Sequence, residues 1–341
     1  MSVFKKAAFI VAVTLLLGVS ALARPQSLND QSDPLFDGHK IVNVVDDFLT
    51  FWEQAKGKKL RVQRQLWNRL VESKHRDYFE RAVYDNATFE ERNMMLNQFL
   101  TQIPAKINAL REFNKVAVSE VHIAMMNFKA RFPEYRQQRD IYLGLSLSLF
   151  DGSVRPVQNY AGIPDTLCLG ADILADYSYE QAQITMVHEF FHLYHFSFLF
   201  ENPSLAQIRT AHIPLLVEGL AVAGAEAVYP YQPETTYLHY SDKELSAQKE
   251  NLTVNSGKFL ELLKEGALPE VYEQWFTGKP GEEVPHRGGY LLGYEVSHRM
   301  LMMFSFEEIV RMTPVELREH VEEQLAALAA DRVLLLAAAN N

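Results

Sequence analysis

The stretch ITMVHEFFHLYHF, residues 184–196, sets three histidines and one glutamate in a run that is otherwise almost wholly apolar. Apolar residues surround these polar positions on nearly all sides, which predicts a central, buried helix. Burying a carboxylate or an imidazole without a partner costs several kcal/mol. Whatever satisfies His188, Glu189, His192 and His195 therefore decides the function.

The order His-Glu-x-x-His at residues 188–192 is typical of a metal site on a helix. Residues four apart share one helix face, so His188 and His192 can hold one tetrahedral metal ion together. Glu189 lies one step round the helix, where its carboxylate can reach a water in the open position of the metal and act as a general base. A ligand set of two neutral imidazoles and one carboxylate suits zinc, although a related divalent metal would also fit. We predict one Zn²⁺ per chain.

Three residues are candidates for the third protein ligand that a catalytic zinc needs. His195 comes three positions after His192, which turns it off the shared face and predicts a packed core histidine or one behind the ligands. His212 lies on the approach to the next predicted helix and remains an alternative. Glu218 is preferred, because it is a lone carboxylate among Leu, Gly, Ala and Val on a helix, residues 213–230, whose small residues let another helix approach closely.

Attack of such a metal-bound water on a carbonyl group also needs a hydrogen-bond donor to the oxyanion of the tetrahedral intermediate. The best source is HRGGYLLGYEVSH, residues 286–298, in which two adjacent glycines allow close backbone approach. His286, Arg287, Tyr290 and Tyr294 supply the donors of this segment. Arg287 could instead hold a substrate carboxylate, and both tyrosines could be core residues.

The combination of VHEFFH with a later EGLA resembles the gluzincin zinc metallopeptidases, the clan that contains thermolysin and the alanyl and leucyl aminopeptidases. It is similar in particular to an uncharacterised bacterial family of predicted Zn-dependent proteases. The likeness covers roughly residues 140–300. It implies that His188, His192 and Glu218 bind zinc, and that Glu189 is the base and proton shuttle.

Further expectations follow from the same resemblance. The strand near CLGADIL would be the sheet edge that pairs with an extended peptide, and Tyr290-x-x-Gly293 resembles the segment that provides the oxyanion tyrosine in the aminopeptidase branch. In thermolysin-like enzymes the glutamate ligand follows the second histidine sooner, near the position of His212 here, so His212 stays open as third ligand. Glu226, two turns beyond Glu218, suits a role in orienting a ligand histidine.

Four regions are predicted along the chain. Residues 1–23 have the basic start, short apolar run and small-x-small ending of a signal peptide, and residues 24–39 are a polar, flexible lead-in. Residues 40–133 carry apolar positions three and four apart, which predicts a helical region. Residues 134–341 form the zincin-like metallopeptidase region with C-terminal helices.

The predicted fold class is mainly α with α+β character. Two β-rich runs, residues 140–150 and 165–174, are predicted to form a small antiparallel sheet ahead of the active-site helix. The DGSVRP segment between them is interpreted as a turn. Ser178 and Gln181 predict the start of that helix, because this spacing is typical of a capping box.

Composition excludes several classes of partner. Without Lys5 and Lys6 of the predicted signal peptide, 31 basic residues face 43 acidic ones, a net charge of −12 that disfavours nucleic acid. The single cysteine, Cys168, cannot form an intramolecular disulfide. No apolar run after the signal peptide is long enough to span a membrane, so we expect a periplasmic or secreted protein.

The sequence therefore predicts an exported, zinc-dependent metallohydrolase, a peptidase whose partner is a peptide or protein substrate. Two other classes remain open. One is a non-enzymatic helical envelope protein that binds a partner and has a structural or inactive metal site, although such a site has no use for a base beside its ligands. The other is a zinc hydrolase of non-peptide amides or esters, which the same chemistry allows.

Overall fold

The computed structural model of the chain describes residues 34–158, 163–201, 211–266, 274–277 and 287–339. The predicted signal peptide, most of the predicted lead-in, and His286 lie outside the described residues. Contacts divide the chain into two compact units, an N-terminal unit that ends at Leu193 and a C-terminal unit that begins at Tyr194. Among the described helices, none combines the length and apolar character needed to cross a membrane.

The described part of the chain is mainly helical and contains one small sheet, which confirms the predicted fold class. Its strands are β1 Ile41–Asn43, β2 Ile141–Gly144, β3 Gly152–Arg155 and β4 Thr166–Gly170. Its helices are, in chain order, α1 Val44–Ala55, α2 Leu60–Trp67, α3 Arg76–Tyr78, α4 Phe89–Arg131, α5 Ala171–Leu174, α6 Tyr179–Leu199, α7 His212–Val228, α8 Glu234–Leu238, α9 Asp242–Glu250, α10 Leu252–Glu265, α11 (274–277), α12 Gly288–Leu301, α13 Phe306–Ile309 and α14 Pro314–Ala339.

The sheet of the N-terminal unit is mixed, with the strand order β1-β2-β4-β3. The predicted antiparallel pairing of the two β-rich runs is wrong, because β2 and β4 are parallel. The antiparallel partner of β4 is β3, which lies in the segment interpreted as a turn. β4 is buried at every position and β2 at nearly every one, a pattern typical of parallel strands covered on both faces.

The position of β4 also corrects the expected substrate edge. β4 lies between β2 and β3, and hydrogen bonds to strands on both sides occupy it. It therefore cannot pair with an added peptide strand. The outer strand on this side of the sheet is β3.

Aromatic side chains form the core of the helices that precede the sheet. Trp67 is fully buried and Trp52 is buried. The Trp67 ring lies 5.6 Å from that of Phe51 and 5.3 Å from that of Phe79, centroid to centroid. These edge-on contacts join α1 and α2 into one apolar cluster.

The described end of the predicted lead-in is folded against α4. Phe36 is buried, and its ring lies 4.9 Å from that of His122. The Lys129 ammonium donates a hydrogen bond to the Asp37 carboxylate at 2.7 Å. Residues 34–38 are thus held by both an apolar and a charged contact.

Candidate metal centre

Helix α6 begins where the sequence predicts. The Gln181 backbone N–H donates to Ser178 Oγ at 3.2 Å, and the Ser178 backbone N–H donates to Gln181 Oε1 at 3.1 Å. This reciprocal capping box satisfies two of the N–H groups that a helix start leaves without partners.

Two phenylalanines set the rotation of α6 about its axis. The Phe190 ring lies 5.8 Å from that of Phe128, and the Phe191 ring lies 5.3 Å from that of Phe132 at the end of α4. Because successive helical residues turn by about 100°, the face that carries the two histidines points elsewhere. Packing of the phenylalanines against α4 thereby aims the polar face of α6.

The two histidines of the motif lie side by side on that face. The ring centroids of His188 and His192 are 4.5 Å apart, with the ring planes at 88°. His192 is 2% exposed and His188 is half-buried. One turn of helix thus brings two imidazoles close enough to share a single ion.

Glu189 points toward the sheet rather than along the histidine face. It is 7% exposed. A Cβ atom added at Gly152, the first residue of β3, would lie 2.5 Å from Glu189 Cγ and 3.1 Å from Oε1. The carboxylate therefore lies close to the start of the outer strand.

The third side chain near the histidines is Glu218 of α7. His188, His192 and Glu218 each offer one ligand atom, and these atoms lie within 4.8 Å of one another. Glu218 is 6% exposed. Two imidazoles and one carboxylate are a donor set that catalytic zinc sites use, with one position left for water or substrate. The residues present thus fit zinc.

His212, the alternative third ligand, has a different partner. It is fully buried, and its Nε2 lies 3.0 Å from Glu322 Oε1 on α14. The same carboxylate oxygen accepts a hydrogen bond from Arg318 Nε at 3.0 Å. Burial lowers the pKa of His212, and the nearby Glu322 carboxylate opposes that shift. His212 therefore ties the start of α7 to α14.

Helix α7 packs closely on another helix, as its small residues predict, and the partner within the C-terminal unit is α12. A Cβ atom added at Gly219 would lie 2.0 Å from the Gly293 carbonyl oxygen. One added at Gly293 would lie 2.3 Å from the Leu215 carbonyl oxygen. Only glycine permits this backbone approach, and Glu218 is the residue next to the crossing point.

Glu226 is placed in a polar group of the C-terminal unit. Its carboxylate accepts hydrogen bonds from Tyr294 Oη at 3.0 Å and from His298 Nε2 at 2.8 Å. The bond to His298 lowers the pKa of Glu226. The same bond raises the pKa of His298. Burial and the Glu226 charge raise the pKa of Tyr294. Glu226 thus joins α7 to α12.

The remaining predicted residues lie at the start of α12 and on α6. The Arg287 guanidinium lies 4.1 Å from the centre of the Tyr290 ring, and the Phe276 ring is 5.7 Å from it. The cation–π contact with Arg287 and the edge-on contact with Phe276 hold the phenol ring of Tyr290. His195 is 1% exposed, as expected of a histidine turned off the ligand face.

Gly152 lies beside Glu189 but was not among the site residues predicted from the sequence. The local sequence offers only the Asp-Gly pair at residues 151–152. Such a pair is typical of a turn and does not indicate a contact with a distant side chain. The contact between Gly152 and Glu189 forms only in the folded chain, so no short-range sequence pattern predicts it.

The comparisons with known proteins give one match. The sequence model of a protein family described as "Predicted Zn-dependent protease" matches residues 154–320. This confirms the resemblance drawn from VHEFFH and EGLA, and the matched segment contains His188, Glu189, His192 and Glu218. No curated protein and no solved structure matches the chain.

Proposed function

We propose that this chain is an exported, zinc-dependent peptidase of gluzincin type. The observation that supports the proposal best is the group of His188, His192 and Glu218, whose ligand atoms lie within 4.8 Å of one another, beside a buried Glu189. The match of residues 154–320 to a family described as predicted Zn-dependent proteases supports the same class.

In this proposal the three side chains hold one zinc ion, which when bound supplies Lewis acidity for the attacking water and the scissile carbonyl. Glu189 takes a proton from that water and passes it to the leaving amine. Glu189 is 7% exposed, so bulk water competes little for the proton. Tyr290 donates a hydrogen bond to the oxyanion.

The outer strand gives the proposed peptide substrate a place to bind. Among the described residues, β3 pairs with β4 alone, so its other side can accept an added strand. Gly152 starts β3 beside Glu189. An extended peptide that pairs with β3 would therefore run past the proposed base.

Substitution of Glu189 by Gln tests the proposal. The variant keeps the shape of the side chain but cannot accept the proton, so we expect kcat to fall by about 10² to 10⁴ with zinc content unchanged. Cleavage would be measured by mass spectrometry on a peptide library and zinc by elemental analysis. Glu180→Gln, an exposed position in the first turn of the same helix, is the matched control and should behave as wild type.

Two outcomes would overturn the proposal. If Glu189→Gln loses zinc together with activity, Glu189 is a ligand or a structural residue. If the wild-type protein holds zinc but cleaves no peptide while it hydrolyses simple esters or amides, the non-peptide hydrolase is correct.

A further inference from the structure

The start of strand β3 carries a contact that local sequence spacing did not predict. Gly152 pairs with Leu169 of β4, and its φ is not among the positive values in the structure. An alanine could therefore adopt the same backbone conformation. The requirement for glycine comes from the neighbouring side chain.

That neighbour is Glu189. A Cβ atom at Gly152 would lie 2.5 Å from Glu189 Cγ, 3.0 Å from Cδ and 3.1 Å from Oε1. The shortest distance is to an atom in the middle of the side chain, so a small rotation of the carboxylate does not relieve it. The whole Glu189 side chain would have to move.

The strand is held so that it cannot move away instead. The Asp151 carboxylate accepts hydrogen bonds from Tyr177 Oη at 2.7 Å and from the Gly152 backbone N–H at 2.8 Å. The Asp151 carbonyl accepts one from the Gly170 N–H at 2.7 Å. Tyr177 precedes the capping Ser178 of α6, so Asp151 ties the strand start to the start of the helix that carries Glu189.

We propose that Gly152 is a positioning residue for the general base: by lacking a side chain, it lets the Glu189 carboxylate lie against the strand in the orientation that proton transfer needs. This inference rests on the proposed function. A displacement of about 1 Å of a catalytic group can cost about 10²-fold in rate. The added methyl group points at Glu189, out of the sheet plane in which a peptide would pair with β3, so it should act through Glu189 rather than through zinc or the pairing of the substrate.

The first test is the kinetics of Gly152→Ala on the library peptide that wild type cleaves best. We expect kcat to fall by about 10²-fold, with KM within about threefold of wild type and zinc content unchanged. The matched control is Gly144→Ala in β2, where an added Cβ would lie 2.4 Å from the Tyr78 ring. This substitution overpacks the same sheet against Tyr78 and not against Glu189. It should therefore lower the Tm and leave the kcat of the folded enzyme unchanged. Equal kcat losses in both variants would overturn the proposal.

The second test uses thermal unfolding of zinc-free protein and needs no substrate. In the wild-type background, Gly152→Ala should lower Tm by about 2 to 10 °C, as expected for overpacking. In a Glu189→Ala background the obstructing side chain is gone, so the same change should lower Tm by no more than about 1 °C. Equal Tm losses in both backgrounds would show that Glu189 is not the cause. Because this cycle involves neither zinc nor cleavage, its result stands apart from that of the peptidase assay.

Discussion

A carboxylate as deeply buried as that of Glu218 is stable only where a cation or hydrogen-bond donors compensate its charge. Its ligand atom lies within 4.8 Å of those of His188 and His192, whose neutral imidazoles can share a metal ion with it. His212 is also buried but lies against Glu322. Of the two candidates for the third ligand, Glu218 therefore lies with the two histidines and His212 lies with Glu322.

We predict that Glu218→Ala weakens zinc binding far more than His212→Ala. Loss of a ligand removes a metal bond, whereas loss of His212 removes a hydrogen bond to α14 and should lower Tm instead. Zinc content after dialysis and thermal unfolding of both variants measure the two effects. A zinc-free His212→Ala beside a zinc-replete Glu218→Ala would reverse the assignment.

Tyr290 provides a second prediction at this scale. A phenol aimed at the developing oxyanion helps only as charge develops there, so Tyr290→Phe should lower kcat by about 10² to 10³ and leave KM nearly unchanged. The substitution keeps the ring, so the contacts of the ring with Arg287 and Phe276 are kept. Steady-state kinetics on a cleaved library peptide measure the change.

Tyr294→Phe is the control for this prediction, because the Tyr294 hydroxyl already donates to Glu226. Its loss should lower Tm with little effect on kcat. A large kcat defect in Tyr294→Phe beside a normal Tyr290→Phe would move the donor role to Tyr294. If neither variant loses more than a few-fold, the tyrosines of this segment are structural.

At the scale of elements, the polar link between α7 and α12 should make stability depend on pH. Contact with Glu226 raises the pKa of His298 above its ordinary 6.5, and the charges of Glu295 and Glu234 add to the effect. The His298 contribution is thus complete below pH 6.5 and lost as the pH rises through the raised value. The pKa of Glu226 is lowered below 4.5, so its contribution is complete above pH 4.5 and lost as the pH falls through the lowered value.

The stabilising pair is therefore fully formed between these limits. We predict that the Tm advantage of wild type over His298→Gln is larger at about pH 5.5 than at about pH 8.5. Thermal unfolding of zinc-free protein at both values measures it. An advantage that grows as the pH rises would mean that the ion pair does not stabilise the fold.

Local patterns predicted helix α6 and the grouping of His188, His192 and Glu218 better than they predicted the sheet. Residue spacing and a capping box were enough for α6, because these signals act within a few residues of chain. β2 and β4 are parallel because β3, which lies between them in the chain, takes the outer position and pairs antiparallel with β4. The alternation of apolar and polar residues within one strand does not predict this order of strands. The contacts of Gly152 with Glu189 and of Glu226 with His298 likewise join distant segments, so only the folded chain reveals them.

At the scale of the whole molecule, the family match covers residues 154–320 and includes all four proposed site residues of α6 and α7. Gly152 at the start of strand β3, strands β1 and β2, and helices α1 to α4 lie outside the match. The proposed activity therefore depends on a local feature, a zinc site built on three side chains.

Zinc content per chain tests that claim most directly. Elemental analysis of purified wild type, loaded with zinc and then dialysed, would be compared with that of His188→Ala and of His320→Ala. His320 is a histidine of α14 whose Nδ1 lies 3.7 Å from Glu323 Oε2. We predict about one zinc per chain in wild type and in His320→Ala, and almost none in His188→Ala. A wild-type protein that retains no zinc, or a His188→Ala variant that retains as much as wild type, would contradict the account.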